Sequence, residues 1–252
     1  MQNEIGLDAH RSDEPKALCL VTENRNIYYA TKRIMDFVLA LILLILLSPL
    51  MFLVAVVIFV YSPGPIFFKQ ERVGAKRQLY GNNQYYWKKV NFQCYKFRTM
   101  RINADSSVHQ AYIKALIEND EDKMTALQGA PVSTQPRKLV NDPRIIPPGK
   151  ILRKLSLDEL PQFWNVLIGD MSLVGPRPAI PYEVEMYKRW HLRRLGAQPG
   201  ITGLQQVTAR CTTDFDRQVL LDIEYVEKQS FWLDVKIMLK TPLAIVSTKG
   251  AY

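Results

Sequence analysis

A chain of 252 residues has room for one cored domain with a membrane anchor and is too short for two full catalytic domains. Its net charge of +9 points to anionic partners, and by itself admits nucleic acid, lipid headgroups and phosphorylated substrates alike. Cys19, Cys94 and Cys211 are widely spaced with no C-x-x-C pair, which argues against a disulfide framework or thiolate zinc site and suits a reducing compartment. His10, His109 and His191 are equally scattered, so any cation would take oxygen ligands, which favours magnesium.

In chain order, residues 1–30 are polar and mixed in charge and read as a surface segment. From Phe37 to Tyr61 (FVLALILLILLSPLMFLVAVVIFVY) no residue is charged, and such a helix could cross a bilayer core of roughly 30 Å. Two features argue for a different path. Ser48-Pro49 stands at the midpoint, where proline removes a donor and should kink or break the helix, while the serine hydroxyl could bond a freed carbonyl. Both flanks are positive: Arg25, Lys32 and Arg33 precede the segment, and Lys69, Arg72, Lys76 and Arg77 follow it. Positive charge marks the cytoplasmic side, so both ends belong on one face, and residues 31–62 are expected to form a re-entrant helix-break-helix. An ordinary kinked span stays open as the alternative. Asp36 at the entry needs a partner in lipid, and Lys32 or Arg33, one turn earlier, is expected to supply it.

Ser62-Pro63-Gly64-Pro65 ends the helix and turns the chain. Ile66–Val73 and Tyr85–Met100 alternate apolar with polar residues around Gly81-Asn82-Asn83, predicting a small β-hairpin. Helical spacing from Ala104 to about Glu118, followed by an acidic stretch and a Pro-rich loop, predicts a helical insertion over about 103–140. A short basic helix over Lys150–Leu155 leads into SLDELPQFWNVLIGDMSLVGPRP. Tyr182–Leu195 and Phe231–Val246 read either as core-facing helices or as interfacial amphipathic ones anchored by Trp190 or Trp232. The fold class is α+β: a mainly helical catalytic domain over 63–252 behind the membrane helix.

Asp158-Glu159 is the candidate chemical pair. Ser156-Leu157-Asp158-Glu159 is also a capping-box pattern, and locally that explanation is the stronger. Against it, a helix begun at Ser156 would carry Pro161 where an amide should already be bonded; a start nearer Pro161 leaves both carboxylates free for a ligand. Arg153, Lys154, Arg177, Lys96 and Arg98 surround the pair in sequence and could neutralise a diphosphate, although headgroup binding or a solvated face would explain any one of them. Asp214-Phe215-Asp216 and Asp120-Glu121-Asp122 have the Asp-x-Asp form of metal-dependent sugar transferases, a pattern common by chance. No P-loop, dinucleotide or hydrolase-elbow motif is present.

KRIMD at Lys32–Asp36, Ser48-Pro49, SPGPIFFKQERVG from Ser62, KFRTM, NDPRI from Asn141, LRKLSLDELPQFWNVLIGDMSLVGPRP, PGITGL from Pro199 and the terminal GAY together resemble the monotopic bacterial sugar transferases, from about residue 30 to the end. One departure is Gln205, where the family has tryptophan in GLWQV, which puts in doubt an acceptor or membrane contact made there. The resemblance implies a polyprenyl-phosphate hexose-1-phosphate transferase on the cytoplasmic face of the bacterial inner membrane, starting exopolysaccharide or O-antigen repeat units. It implies magnesium held by Glu159, attack by Asp158 on the sugar-bearing phosphate of a UDP-sugar (glucose or galactose), release of UMP, and Arg153 and Arg177 as a phosphate clamp. Membrane phospholipid and a second copy of the chain are further expected partners; nucleic acid is not. A silent membrane adaptor and a single-displacement enzyme remain the rival expectations.

Overall fold

The computed structural model describes residues 20–22, 25–80, 84–102, 105, 107–128, 142, 144–209 and 214–246. The expected tip Gly81-Asn82-Asn83, the Pro-rich part of the insertion, Cys19, Cys211, His10 and the terminal GAY lie outside the described residues.

Helix α1 (Asn26–Tyr61) is 36 residues long and contains Pro49 without interruption, so the expected break into two helices is not seen as a gap in the helix. Ser48 Oγ donates to the Ile45 carbonyl at 2.8 Å. That carbonyl is the one left without its i+4 donor by Pro49, so the hydroxyl restores what the proline removes. The buried residues of α1 are Lys32, Asp36 and Ala40 near its start and Val54 and Ile58 near its end, spaced along one helical stripe. None of residues 41–53 is buried: Ile45, Leu46 and Phe52 are 67%, 69% and 73% exposed. Both ends of the helix are thus fastened to the rest of the protein, and an apolar middle is left outside it.

The partner expected for Asp36 is not the one it bonds. Lys32 Nζ meets Asp234 Oδ2 at 2.9 Å, and Arg33 donates to the Val166 and Leu167 carbonyls at 2.6 and 2.7 Å. Asp36 Oδ1 accepts from the Leu173 amide at 3.1 Å. Intrahelical spacing made the pair available, and tertiary partners that are buried with the charges took precedence.

Strands β2 (Phe67–Tyr80) and β3 (Gln84–Phe97) form an antiparallel hairpin that runs in one register from Phe67↔Phe97 to Tyr80↔Gln84. It is longer than the sequence predicts, since β2 continues past Val73 through a Lys/Arg/Gln stretch that lacks a clean apolar alternation. Strand β1 (Leu20–Thr22) adds to the other edge of β3, giving the order β1-β3-β2. After α2 (Ser107–Glu118) and α3 (Glu121–Gln128) come α4 (Pro147–Lys154), a single 3-10 turn at Leu157–Glu159 and α5 (Gln162–Ile168). The short strand β4 (Ser172–Val174) pairs in parallel with β5 (Gly200–Thr202). Between them lie α6 (Pro181–Glu185) and a 3-10 segment, Arg189–Leu195, in place of the one helix expected over Tyr182–Leu195. Helices α7 (Leu204–Thr208), α8 (Phe215–Lys228) and α9 (Phe231–Val246) complete the chain.

The central core brings Ala40 of α1, Phe92 and Cys94 of β3, Val166 of α5, Met171, Leu173 and Val174 around β4, and Tyr225 and Ile237 of α8 and α9 together. A second cluster packs α2 and α3 (Tyr112, Met124) onto α8 (Phe215, Val219), so the insertion rests on the domain through an apolar face. Trp190 packs against that cluster, as a core-facing residue does. Trp232 on α9 is 78% exposed, beside exposed Leu239 and Leu243, as an interfacial helix requires.

Candidate active site

Ser156 has φ +55°, a left-handed conformation uncommon outside glycine, and feeds the chain into the Leu157–Glu159 turn. The Glu159 amide donates to the Ser156 carbonyl, and Ser156 makes no side-chain cap to this turn, so the capping-box explanation does not hold. Helix α5 begins at Gln162, directly after Pro161, which leaves both carboxylates in the approach.

Opposite the turn stands the end of β3. Lys96 Nζ meets Glu159 Oε1 at 2.7 Å. What sets this register is Asn165 of α5, fully buried, whose Oδ1 accepts from the Tyr95 amide at 3.0 Å and whose Nδ2 donates to the Gln93 carbonyl at 2.7 Å. Arg177 comes from the loop after β4. That loop is fixed by close backbone approach: a Cβ on Gly175 would lie 2.1 Å from the Gln198 carbonyl, so only glycine fits. Arg72 Nη1 donates to the Pro178 carbonyl at 2.9 Å and ties the hairpin to the same loop.

These elements enclose a small cavity, about 40 Å³, lined by Arg72, Lys96, Glu159, Gln162, Arg177 and Gln206 among others. Arg72 Nε and Gln206 Oε1 are buried there without a hydrogen-bond partner among the described residues, a donor and an acceptor held ready for a ligand. Asp158 precedes Glu159 and is 8% exposed; it does not itself line the cavity. Burial raises its carboxyl to about 6, with the Glu159 charge adding to the rise and Lys96 and Arg153 opposing it. For Glu159 burial also acts upward, but the Lys96 ammonium and the Arg177 guanidinium outweigh it and hold its carboxyl well below the usual range. Two adjacent carboxylates therefore have their proton affinities pushed apart, a common mark of functional sites.

On the other side, the turn faces α1. Leu157 and Leu160, which bracket the dyad, pack with Leu152 and Phe97 onto Val54 and Ile58 of α1. Glu159 sits in the cation-lined cavity, and the turn that carries both carboxylates adjoins the exit of the apolar helix.

The family profile described as "Bacterial sugar transferase" matches residues 27–248. The chain belongs to the bacterial sugar transferase family. Over 221 residues it is 39% identical to the undecaprenyl-phosphate galactose phosphotransferase of Salmonella typhimurium, covering 88% of this chain and 41% of that one. It is 35% identical over 229 residues to the UDP-glucose:undecaprenyl-phosphate glucose-1-phosphate transferase of Escherichia coli, again 88% of this chain and 41% of the relative. The exopolysaccharide production protein ExoY of Sinorhizobium fredii is 37% identical over 222 residues, 88% of each chain. The chain thus spans about two-fifths of the first two relatives and most of the third.

Other residues that the sequence singled out have different places. Arg153 lies outside the cavity lining; its Nε donates to Thr99 Oγ1 at 2.9 Å, and it acts on Asp158 through its field. Arg98 is 5% exposed and donates to the Ser62 carbonyl, closing the exit of α1 instead of lining the cavity. Lys154 is exposed. Three of the four aspartates in the two Asp-x-Asp patterns have local partners. Asp214 caps α8 through the Arg217 amide, Asp216 meets Lys188 and His191, and Asp120 accepts from the Lys123 amide at the start of α3. Gln205 is 5% exposed beside Gln218 of α8, so the departure from tryptophan falls inside the α7–α8 contact. Sequence reasoning missed Arg72 as a cavity residue, Asn165, Gln162 and Gln206, which come from β2, α5 and α7, and only Gln162 and Asn165 share an element.

Proposed function

We propose that this protein transfers a hexose 1-phosphate from a UDP-sugar to polyprenyl phosphate at the membrane surface, by way of a covalent phosphosugar on Asp158. The observation that carries the reading is the position of the dyad, with Glu159 in a cavity of Lys96, Arg72 and Arg177 and the flanking leucines on the membrane helix. Such a site faces a water-soluble diphosphate and a lipid phosphate from one place. The named activity of the Escherichia coli relative supports a UDP-sugar donor, and those of the Salmonella and Escherichia coli relatives support undecaprenyl phosphate as acceptor.

Asp158 attacks the phosphorus that bears the sugar; the phosphoanhydride bond breaks and UMP leaves with its electron pair. An oxygen of the lipid phosphate then attacks that phosphorus, and the Asp158 carboxylate leaves. Arg72, Lys96 and Arg177 hold the charge of the phosphates through both steps. The donor set suits magnesium: Glu159 brings one carboxylate to the cavity beside the cations, and magnesium commonly takes one or two carboxylates with substrate phosphates. Glu159 would hold it, and the ion when bound supplies charge neutralisation on the diphosphate oxygens.

Both ends of α1 dock on the same domain while its middle stays uncovered, which supports a re-entrant path through one leaflet; the positive residues at both ends of the segment support the cytoplasmic face.

Purified protein with UDP-glucose or UDP-galactose, magnesium and polyprenyl phosphate should release UMP, and Asp158→Asn should abolish release. Intact-protein mass spectrometry without the lipid should show a hexose-phosphate adduct; turnover with no adduct would establish a single displacement instead.

A further inference from the structure

A second cavity, about 350 Å³, lies at the far end of the hairpin from Lys96, between the start of α1, the β2–β3 pair around Arg77↔Trp87 and the end of α5. Four cations and one carboxylate line it: Lys32, Arg33, Lys76, Arg77 and Asp36. Three of the cations have their charge or donors engaged. Lys32 pairs with Asp234, Arg33 caps α5 on the Val166 and Leu167 carbonyls, and Lys76 pairs with Asp170 at 2.9 Å.

Arg77 differs. Its guanidinium carbon lies 4.2 Å from the centre of the Tyr29 ring and 3.6 Å from that of Tyr85, so two aromatic faces fix its plane. Its Nε and Nη2 are buried and have no hydrogen-bond partner among the described residues. Buried guanidinium N–H donors are costly unless an acceptor reaches them, and a phosphate oxygen pair matches the fork of Nε and Nη2. The site also has a depth. Arg33 and Asp36 stand at the entry of the apolar segment, and the Phe37 ring, one turn on, lies 6.0 Å from the Arg33 guanidinium, with Phe37, Val38 and Leu41 exposed. An anion in the cavity would therefore sit at headgroup level with an apolar surface beside it for acyl chains.

We propose that this cavity is a binding site for the phosphate of one anionic phospholipid, gripped by Arg77 between Tyr29 and Tyr85, separate from the transferase site. It rests on the membrane reading of α1 and is independent of the chemistry at Asp158.

The test uses the full chain in phosphatidylcholine vesicles with or without phosphatidylglycerol. Phenylglyoxal modification of Arg77, read by peptide mass spectrometry, should be suppressed by phosphatidylglycerol and not by phosphatidylcholine alone; inorganic phosphate at the same concentration should leave it reactive. Native mass spectrometry of the wild type should retain one phosphatidylglycerol, and Arg77→Gln should lower retention about tenfold, the loss of one charge-assisted contact. Lys89→Gln, the same charge change on an exposed part of β3, should not. Equal modification in both vesicles, protection by inorganic phosphate equal to that by the lipid, or full retention by Arg77→Gln would overturn the proposal. UMP release in detergent by Arg77→Gln keeps this outcome separable from failure of the transferase reading.

Discussion

Lys96 and Glu159 lie 63 positions apart in sequence and are joined by an ion pair because Asn165 locks β3 to α5 with two buried hydrogen bonds. Asn165→Leu would leave the Tyr95 amide and the Gln93 carbonyl unpaired, at about 2 kcal/mol. A melting temperature lower by roughly 4–8 °C is expected, with a larger fall in turnover than in UDP-sugar affinity. Lys96→Met, which strips the cavity of a phosphate-facing charge and leaves Glu159 unpaired, should lower UMP release about 100-fold or more in the same assay. In the segment before α4, Asp142 accepts from the Arg144 guanidinium and amide. Burial would raise the Asp142 carboxyl, but the Arg144 bonds and charge prevail and hold it below its ordinary value of 3.8. Its contribution is therefore complete above about pH 4 and is lost as pH falls through the lowered value; Asp142→Asn should be less stable at neutral pH and show a shallower acid limb in thermal melts.

Helix α1 is the element on which topology depends. Its composition alone marks a membrane segment, and Ser48-Pro49 alone marks the point where the backbone lacks a bond. The repair of Ile45 by Ser48 is also written in the sequence, since the freed carbonyl is always four residues before a proline. Cysteines from Ile27→Cys and Lys69→Cys should label from the same side of the membrane. With Pro49→Ala a straight helix of ~50 Å becomes easier to form, and part of the population should label at Lys69→Cys from the opposite side. Had both cysteines of the otherwise native helix labelled from opposite sides, the chain would cross.

At the scale of the whole molecule, one buried carboxylate fastens α1 to the rest of the protein. Asp234 of α9, fully buried, accepts from Lys32 and Tyr28 of α1 and from Tyr225 of α8. Asp234→Leu would leave the Lys32 ammonium uncompensated, and a stability loss of about 3–5 kcal/mol in denaturant unfolding is expected. The same domain carries α2 and α3 on an apolar patch of α8, which sequence spacing shows as a helix without showing what it rests on.

The sequence by itself determined the apolar segment and its proline, the hairpin, the α9 helix and the Asp158-Glu159 pair, because local periodicity, missing donors and proline geometry act over a few neighbouring residues. It did not determine whether Ser156 caps a helix, which cations reach the carboxylates, or where Lys32 finds its charge partner. Those outcomes rest on Lys96, Arg72, Arg177 and Asp234 arriving from distant segments, and only tertiary packing, which decides which charges are buried together, could select Lys96 and Arg177 for the cavity and send Arg98 to the end of α1.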